Sequence, residues 1–193
     1  MKKPVPLKDK ILISIAGLFV PFSLYWYTFP GAFAHMTPIG LYNLTPSVPI
    51  GWYLPYPTPL KHGVIVSFCM PASPMMEEWS KRGYLLDKKG TCEHDYIPFL
   101  KPVAALPGDR ITLNNTGATV NGRLIPNSKP LTEDQKHRPL KPYPFGTYTV
   151  QPGQVWLISH YIPDSMDGRY FGPVPISAIN SPVFRIWPWN KQS

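Results

Sequence analysis

The chain has 193 residues, a formal net charge of +8, 26 prolines and 14 glycines. That composition disfavours long helices, and six Trp, eleven Tyr and nine Phe exclude a disordered chain, because so much aromatic surface must be buried. Four lysines against Asp9 make the first ten residues basic; the remaining positive charge is dispersed, with no basic run or aromatic-interleaved stripe, so nucleic-acid binding is excluded and the charge is read as solubility and mild attraction to anionic lipid.

No residue between Lys10 and Lys61 carries a full charge. The stretch Ile11 to Ala34 is apolar or uncharged and is about as long as a bilayer crossing requires, longer than the roughly 7–15 residue apolar core of a cleavable signal. Two readings stay open: residues 1–34 are a retained transmembrane anchor, or they are a signal segment cleaved after Ala34, where Ala32-Phe33-Ala34 has the small-x-small form. In either case Lys2, Lys3, Lys8 and Lys10 hold the N-terminus in the cytoplasm and residues 35–193 form an outward-facing domain.

After the anchor the chain predicts a mainly β body. Leu44 to Tyr53 carries Ser47 between Pro46 and Pro49, a proline-restricted stretch expected to hold the serine on a stiff, extended arm. Val64 to Phe68 is a β-branched run of core-strand character. Residues 69–98 break the pattern and predict a small insertion, with a short helix over Met75 to Leu86. Cys69 and Cys92, the two cysteines of the chain, bracket it; an exported domain favours a disulfide between them, against the alternative of two buried free thiols. His94 beside Cys92 supplies too few ligands for a metal, and no cofactor motif is present. Phe99 to Ala105 predicts an apolar strand holding Lys101, followed by a Pro107-Gly108-Asp109 turn of structural character and a second strand. Asn121-Gly122 marks a type I′ hairpin, residues 129–144 a surface loop, and Thr147, Gln154 and Ser181 begin three further strands.

A serine hydroxyl needs a base before it attacks. Histidines at 35, 62, 94, 137 and 160 keep a Ser-His-Asp site open by count, with His160 near the Asp164–Asp167 loop, but none has the neighbours of a placed base. Lys101 lies among Phe99, Leu100, Pro102 and Val103. Burial there would favour its neutral amine and allow a Ser-Lys dyad; a strand-edge lysine snorkelling to water is the alternative.

The blocks Ser47-x-Pro-x-Gly-x-Tyr, Lys101-x-Val-x-Ala-x-Pro-Gly-Asp and Ser165-x-Asp-x-Arg-Tyr-Phe-Gly-Pro-Val follow one another in this order. Together they resemble the motifs of the signal peptidase I superfamily, and most closely its TraF branch of conjugative-transfer peptidases that mature pilins. The resemblance implies a signal-peptidase-like catalytic β fold with Ser47 as nucleophile and Lys101 as general base. It implies that Asp167 belongs with the catalytic set, that Arg169 braces it, that Ser165 orients the lysine, and that the Thr45 hydroxyl and Ser47 N–H bind the oxyanion. It also implies an exported propilin-like substrate, cleaved and in this branch open to cyclisation, at the periplasmic face of the bacterial inner membrane, or in the periplasm if the N-terminal segment is removed. Val48 replaces the methionine that follows the nucleophile in general signal peptidases, and Gly168 replaces the serine of their last block. A general signal peptidase I is one alternative, weakened by the short insertion. A non-catalytic conjugation or secretion component, or pilus chaperone, is another. A self-cleaving Ser-Lys repressor would need a DNA-binding helix pair where this chain has its apolar segment.

Overall fold

The computed structural model describes residues 40–85 and 90–187. The apolar segment 11–34, its cleavage alternative after Ala34, and His35 lie outside the described residues. Among those that are described, no helix is long and apolar enough to cross a membrane.

The described chain is built from eleven antiparallel strands in two sheets. The larger sheet takes β1 (Leu41–Asn43), β2 (Gly51–Pro55), β3 (Ile65–Phe68), β4 (Phe99–Ala105), β9 (Gln154–Leu157), β10 (Val174–Pro175) and β11 (Ile179–Trp187), in the order β1-β2-β11-β3-β4-β9-β10. The smaller takes β5 (Arg110–Asn114), β6 (Gly117–Val120), β7 (Arg123–Leu124) and β8 (Gly146–Thr149), in the order β7-β6-β5-β8. Four strands of the central sheet follow the β-branched and aromatic runs of the sequence, because such side chains pack well on a pleated, buried surface. In β5 the alternation of the sequence buries Ile111 and Leu113, which join Ala105, Trp156 and Ile158 in one core. A second core beneath β3 and β4 holds Val66, Phe68, Val103 and Leu157.

Asn121 and Gly122 both have positive φ, 50° and 80°, as the type I′ hairpin between β6 and β7 demands. The Pro107-Gly108-Asp109 turn carries the chain from β4 to β5 and thus from one sheet to the other. Asp109 closes it, with Oδ2 accepting from Leu106 N at 2.7 Å and Oδ1 from Asn121 Nδ2 at 2.7 Å.

Two local expectations are corrected. The insertion helix, α1, is Pro74–Lys81 rather than Met75 to Leu86: Ser73 caps its start by accepting from Met76 N, Pro74 sits in its first turn, and Gly83 at φ 75° turns the chain out before Leu86. The serine stretch is not an extended arm. Thr45 to Val48 form a turn closing the β1–β2 hairpin, because the Asn43 side chain gathers it: Nδ2 donates to the carbonyls of Thr45 and Val48, and Oδ1 accepts from Thr45 N. The strands β1 and β10 carry no alternation in their two or three residues and were not expected.

Cys69 and Cys92 are joined by a disulfide, with Cα atoms 5.5 Å apart and a sequence separation of 23. It staples the insertion to its root at the end of β3, where chain-entropy reasoning gives a bridge of this loop length a worth of about 3 kcal/mol. Within the insertion Met76, Trp79 and Leu85 pack on Tyr170 of the short helix α2 (Gly168–Phe171), so the inserted segment shares a core with the last motif block.

Candidate active site

The site is assembled where the β1–β2 turn meets the middle of β4. Val48, Tyr53, Leu100 and Val183 form a small core beneath the turn. On that base Ser47 and Lys101 are brought together, each only 4% exposed. Lys101 Nζ donates to Ser47 Oγ at 2.8 Å across 54 residues of sequence. The snorkelling alternative is therefore not what the fold adopts. Burial pushes the Lys101 pKa down to about 8; attraction to Asp167 opposes that shift and the Arg169 charge adds to it. At neutral pH such a lysine has an accessible free base, which an exposed lysine with a pKa near 10.4 lacks.

Thr45 Oγ1 lies 3.1 Å from Ser47 Oγ and donates to Asn43 Oδ1, also at 3.1 Å. Its hydroxyl is thus beside that of Ser47, with its proton engaged by Asn43. On the other side the Ser159 hydroxyl donates to the Ser47 carbonyl at 2.6 Å, and Ser159 N donates to Asp167 Oδ2 at 3.0 Å. A single serine after β9 thereby ties the serine turn to the last motif block.

That block is organised by one buried ion pair. Arg169 Nε and Nη2 grip the two Asp167 oxygens at 2.8 and 2.9 Å, and both side chains are fully buried. The remaining guanidinium donors reach the carbonyls of Asn127, Lys129, Pro163 and Ser165. Burial opposes the Arg169 charge most strongly, but the hydrogen bonding and negative charge of Asp167, with attraction to Tyr170 and Asp164, together outweigh it and raise the Arg169 pKa. The departure at Gly168 falls at a tight spot: a Cβ there would stand 3.0 Å from the Leu157 carbonyl and 3.3 Å from the Trp156 ring, so a side chain would fit between α2 and β9 only if these neighbours gave way by a few tenths of an ångström.

Ser165 is buried at 2% exposure, and its Oγ is the buried side-chain polar atom left without a hydrogen-bond partner among the described residues. The fold thus places it in the site region without pairing it to Lys101. No described histidine is hydrogen-bonded to Ser47. His62 Nε2 pairs with Asp109 at 2.6 Å, His137 with Glu133, and His160 stacks on Tyr161. Asn43 and Ser159 are the site residues that sequence reasoning missed. An asparagine just before a Thr-Pro turn is a signal for a side-chain-stabilised turn and could have pointed to Asn43. Ser159 acts across 112 residues and leaves no local signal.

A buried serine and lysine in hydrogen-bond contact, braced by a buried Asp-Arg pair, sit here on an antiparallel β scaffold. The family profile described as signal peptidase, peptidase S26, matches residues 12–189, and the chain belongs to that family of serine peptidases. Within it the chain is similar to the plasmid transfer protein TraF of Escherichia coli, 36% identical over 147 residues, covering 76% of this chain and 82% of that protein. It is similar also to the conjugal transfer protein TraF of Agrobacterium tumefaciens, 37% identical over 151 residues, covering 76% of this chain and 82% of that protein. Among solved structures, a signal peptidase I from Enterococcus faecalis aligns over 66% of this chain and 98% of its own with 18% identity and a TM-score of 0.36.

Proposed function

We propose that the protein is a membrane-associated serine endopeptidase that processes exported precursors, a conjugative pilin foremost, through an acyl-enzyme on Ser47. The observation that carries this reading is the 2.8 Å contact between Lys101 Nζ and Ser47 Oγ, with both groups out of solvent. The neutral amine takes the Ser47 proton through that contact as Oγ attacks the scissile carbonyl. The negative oxygen that forms is met by the Ser47 N–H and by the Thr45 hydroxyl, once the latter turns from Asn43; one such donor is typically worth about 3 kcal/mol. The C–N bond then breaks, the Lys101 ammonium returns its proton to the leaving amine, and the ester is resolved by water. If the pilin's own N-terminal amine resolves it instead, a peptide bond closes a ring and the product is lighter by one water than the linear chain.

Further support comes from the surroundings. The strand β1 is the edge of the larger sheet and leads directly into the serine turn, a site for an extended substrate to add as a strand. Tyr42, Trp52 and Phe184 on β1, β2 and β11, with Tyr56 just after β2, are exposed, an aromatic face suited to the membrane interface. The basic N-terminus and apolar segment fit an inner-membrane anchor with the domain on the periplasmic face, and the relatives named as conjugal transfer proteins favour a pilin over general precursors. The test is co-expression of the full chain with candidate pilins and intact-mass measurement. The expected result is a processed pilin with wild type and unprocessed precursor with Ser47→Ala; equal processing by Ser47→Ala would remove the nucleophile.

A further inference from the structure

Two spaces border the Ser47–Lys101 pair. The cleft that ends on Lys101 is bounded in part by β1, the serine turn and Phe99 to Lys101 of β4. The second, about 660 Å³, begins on the next residues of that strand, Pro102 to Ala104, and shares no residue with the first. Its other border with the site lies just after β9. There Ile158 and His160 flank Ser159, whose hydroxyl holds the Ser47 carbonyl at 2.6 Å. Leu124 and Ile125 of the β6–β7 hairpin and the turn after it complete the groove.

The walls are fastened before any ligand arrives. Asp109 ties two of them together, with Oδ2 meeting His62 Nε2 at 2.6 Å and Oδ1 accepting from Asn121 Nδ2 at 2.7 Å. Asn127 Nδ2 donates to the His160 carbonyl at 2.8 Å, and Ile125 N to the Ala118 carbonyl at 2.9 Å. The groove also carries charge of one sign. His62, Arg123 and His160 line it, and among the described residues no carboxylate does. His62 is engaged by Asp109 and the His160 ring stacks on Tyr161, but Arg123 makes no ion pair among the described residues. Beside it Leu124 is 62% exposed and belongs to none of the cores. An unpaired arginine next to an exposed leucine, on a preformed groove without negative charge, suits an anionic and partly apolar chain.

We infer that this groove receives the stretch of precursor that follows the scissile bond, and that it selects an acidic side chain there, paired with Arg123, beside an apolar one against Leu124. The inference rests on the peptidase reading above and adds where the leaving half of the substrate lies. A strand running alongside β4 advances about 3.3 Å per residue, so it passes from Lys101 to Ala104 within about three residues. The residues just past the scissile bond therefore fall over the groove. A basic stretch in the same place would meet Arg123 with like charge, so the groove discriminates by sign.

The experiment uses the full chain carrying Ser47→Ala, which binds without cutting. The probes are fluorescein-labelled Ala-Leu-Glu-Leu amide and its glutamine and lysine counterparts, titrated by anisotropy. The glutamate peptide should bind about three- to fivefold tighter than the glutamine one, the scale of an exposed ion pair. That ratio should fall toward one in about 0.5 M salt. Adding Arg123→Gln should abolish the ratio, Arg123→Lys should keep most of it, and Arg123→Glu should turn the preference toward lysine. Leu124→Ser should weaken the glutamate and glutamine peptides alike and leave their ratio unchanged. A glutamine peptide ending in a free carboxylate should bind no better than its amide; a gain equal to that from glutamate would assign the carboxylate to the chain end and overturn the side-chain assignment. In the Ser47 chain the glutamate peptide should slow pilin processing, and Arg123→Gln should relieve that inhibition. No binding, no charge preference, a preference unmoved by the Arg123 variants, or a bound peptide that leaves processing untouched would overturn the proposal. An Arg123-governed preference in a chain that processes no pilin would remove the peptidase reading and leave the groove an acidic-peptide site; processing without that preference would do the reverse.

Discussion

Lys101 and Arg169 are the buried basic side chains among the described residues, and the fold treats them in opposite ways. Arg169 is enclosed by acceptors: both oxygens of Asp167 and four backbone carbonyls. Its charge is kept, and the charge holds Asp167, the Ser165 carbonyl and the 127–129 turn in one place. Lys101 has a hydroxyl for its partner and no carboxylate in contact. Its charge is penalised, and its pKa is pushed down to about 8. Equal burial therefore gives a permanent cation where acceptors surround it and a titratable amine where they are withheld. The first is scaffolding; the second is the property a general base needs.

Breaking the Arg169 side of this comparison should have the largest effect on stability. Asp167→Ala leaves a guanidinium buried without its counter-charge, and the loss expected is about 3–5 kcal/mol in a denaturant titration. Processing should be lost with it, because Asp167 also holds the Ser159 backbone and, through Ser159, the serine turn.

Removing the charge at Lys101 should act in the opposite direction. The folded pKa lies below that of the unfolded chain, so unfolding takes up a proton between about pH 8 and roughly pH 10.4, and wild-type stability rises with pH across that window. Below pH 8 the full penalty is present. Lys101→Met should therefore stabilise the domain at pH 7 by about 1–3 kcal/mol while abolishing processing, and the gain should vanish by about pH 10. Thermal or denaturant unfolding at pH 7 and pH 10 checks both the sign and the window.

The smallest effect on stability is expected at Ser165, whose hydroxyl is buried without a partner. Ser165→Ala should change stability by no more than about 0.5 kcal/mol, since no hydrogen bond is lost. If the hydroxyl aims the Lys101 amine once substrate fills the cleft, kcat falls about tenfold in the same variant with the KM little changed.

What the sequence disclosed follows the range of the interactions involved. The strands β3, β4 and β11 were legible because their apolar runs are local, and the hairpin at Asn121-Gly122 because its turn type demands those residues. The apolar neighbours of Lys101 left two outcomes open, burial or snorkelling to water, and the fold adopts burial. Ser47 was legible only as part of ordered motif blocks. Its turn was misread as an arm because two prolines speak for extended backbone, while the competing pull of the Asn43 side chain on the carbonyls of Thr45 and Val48 becomes visible only with the fold. The same holds for Ser159 and for the contact of Tyr84 with Asp134, each joining segments 50 or more residues apart. Gly168 is a departure from its family that sits where a Cβ would crowd the Leu157 carbonyl and the Trp156 ring, a closeness of α2 to β9 visible only in the fold.

The central claim is that the neutral amine of Lys101 is the base for Ser47, and the pH dependence of cleavage beside the rate of Lys101→Arg tests it most directly. Guanidinium stays protonated throughout the accessible range, so Lys101→Arg keeps the charge and loses the base. The account predicts a wild-type kcat/KM that rises with pH through an inflection near 8 and a Lys101→Arg rate lower by a factor of about 10⁴ or more. An active Lys101→Arg enzyme, or a wild-type inflection near 6.5 as an ordinary histidine would give, would contradict it.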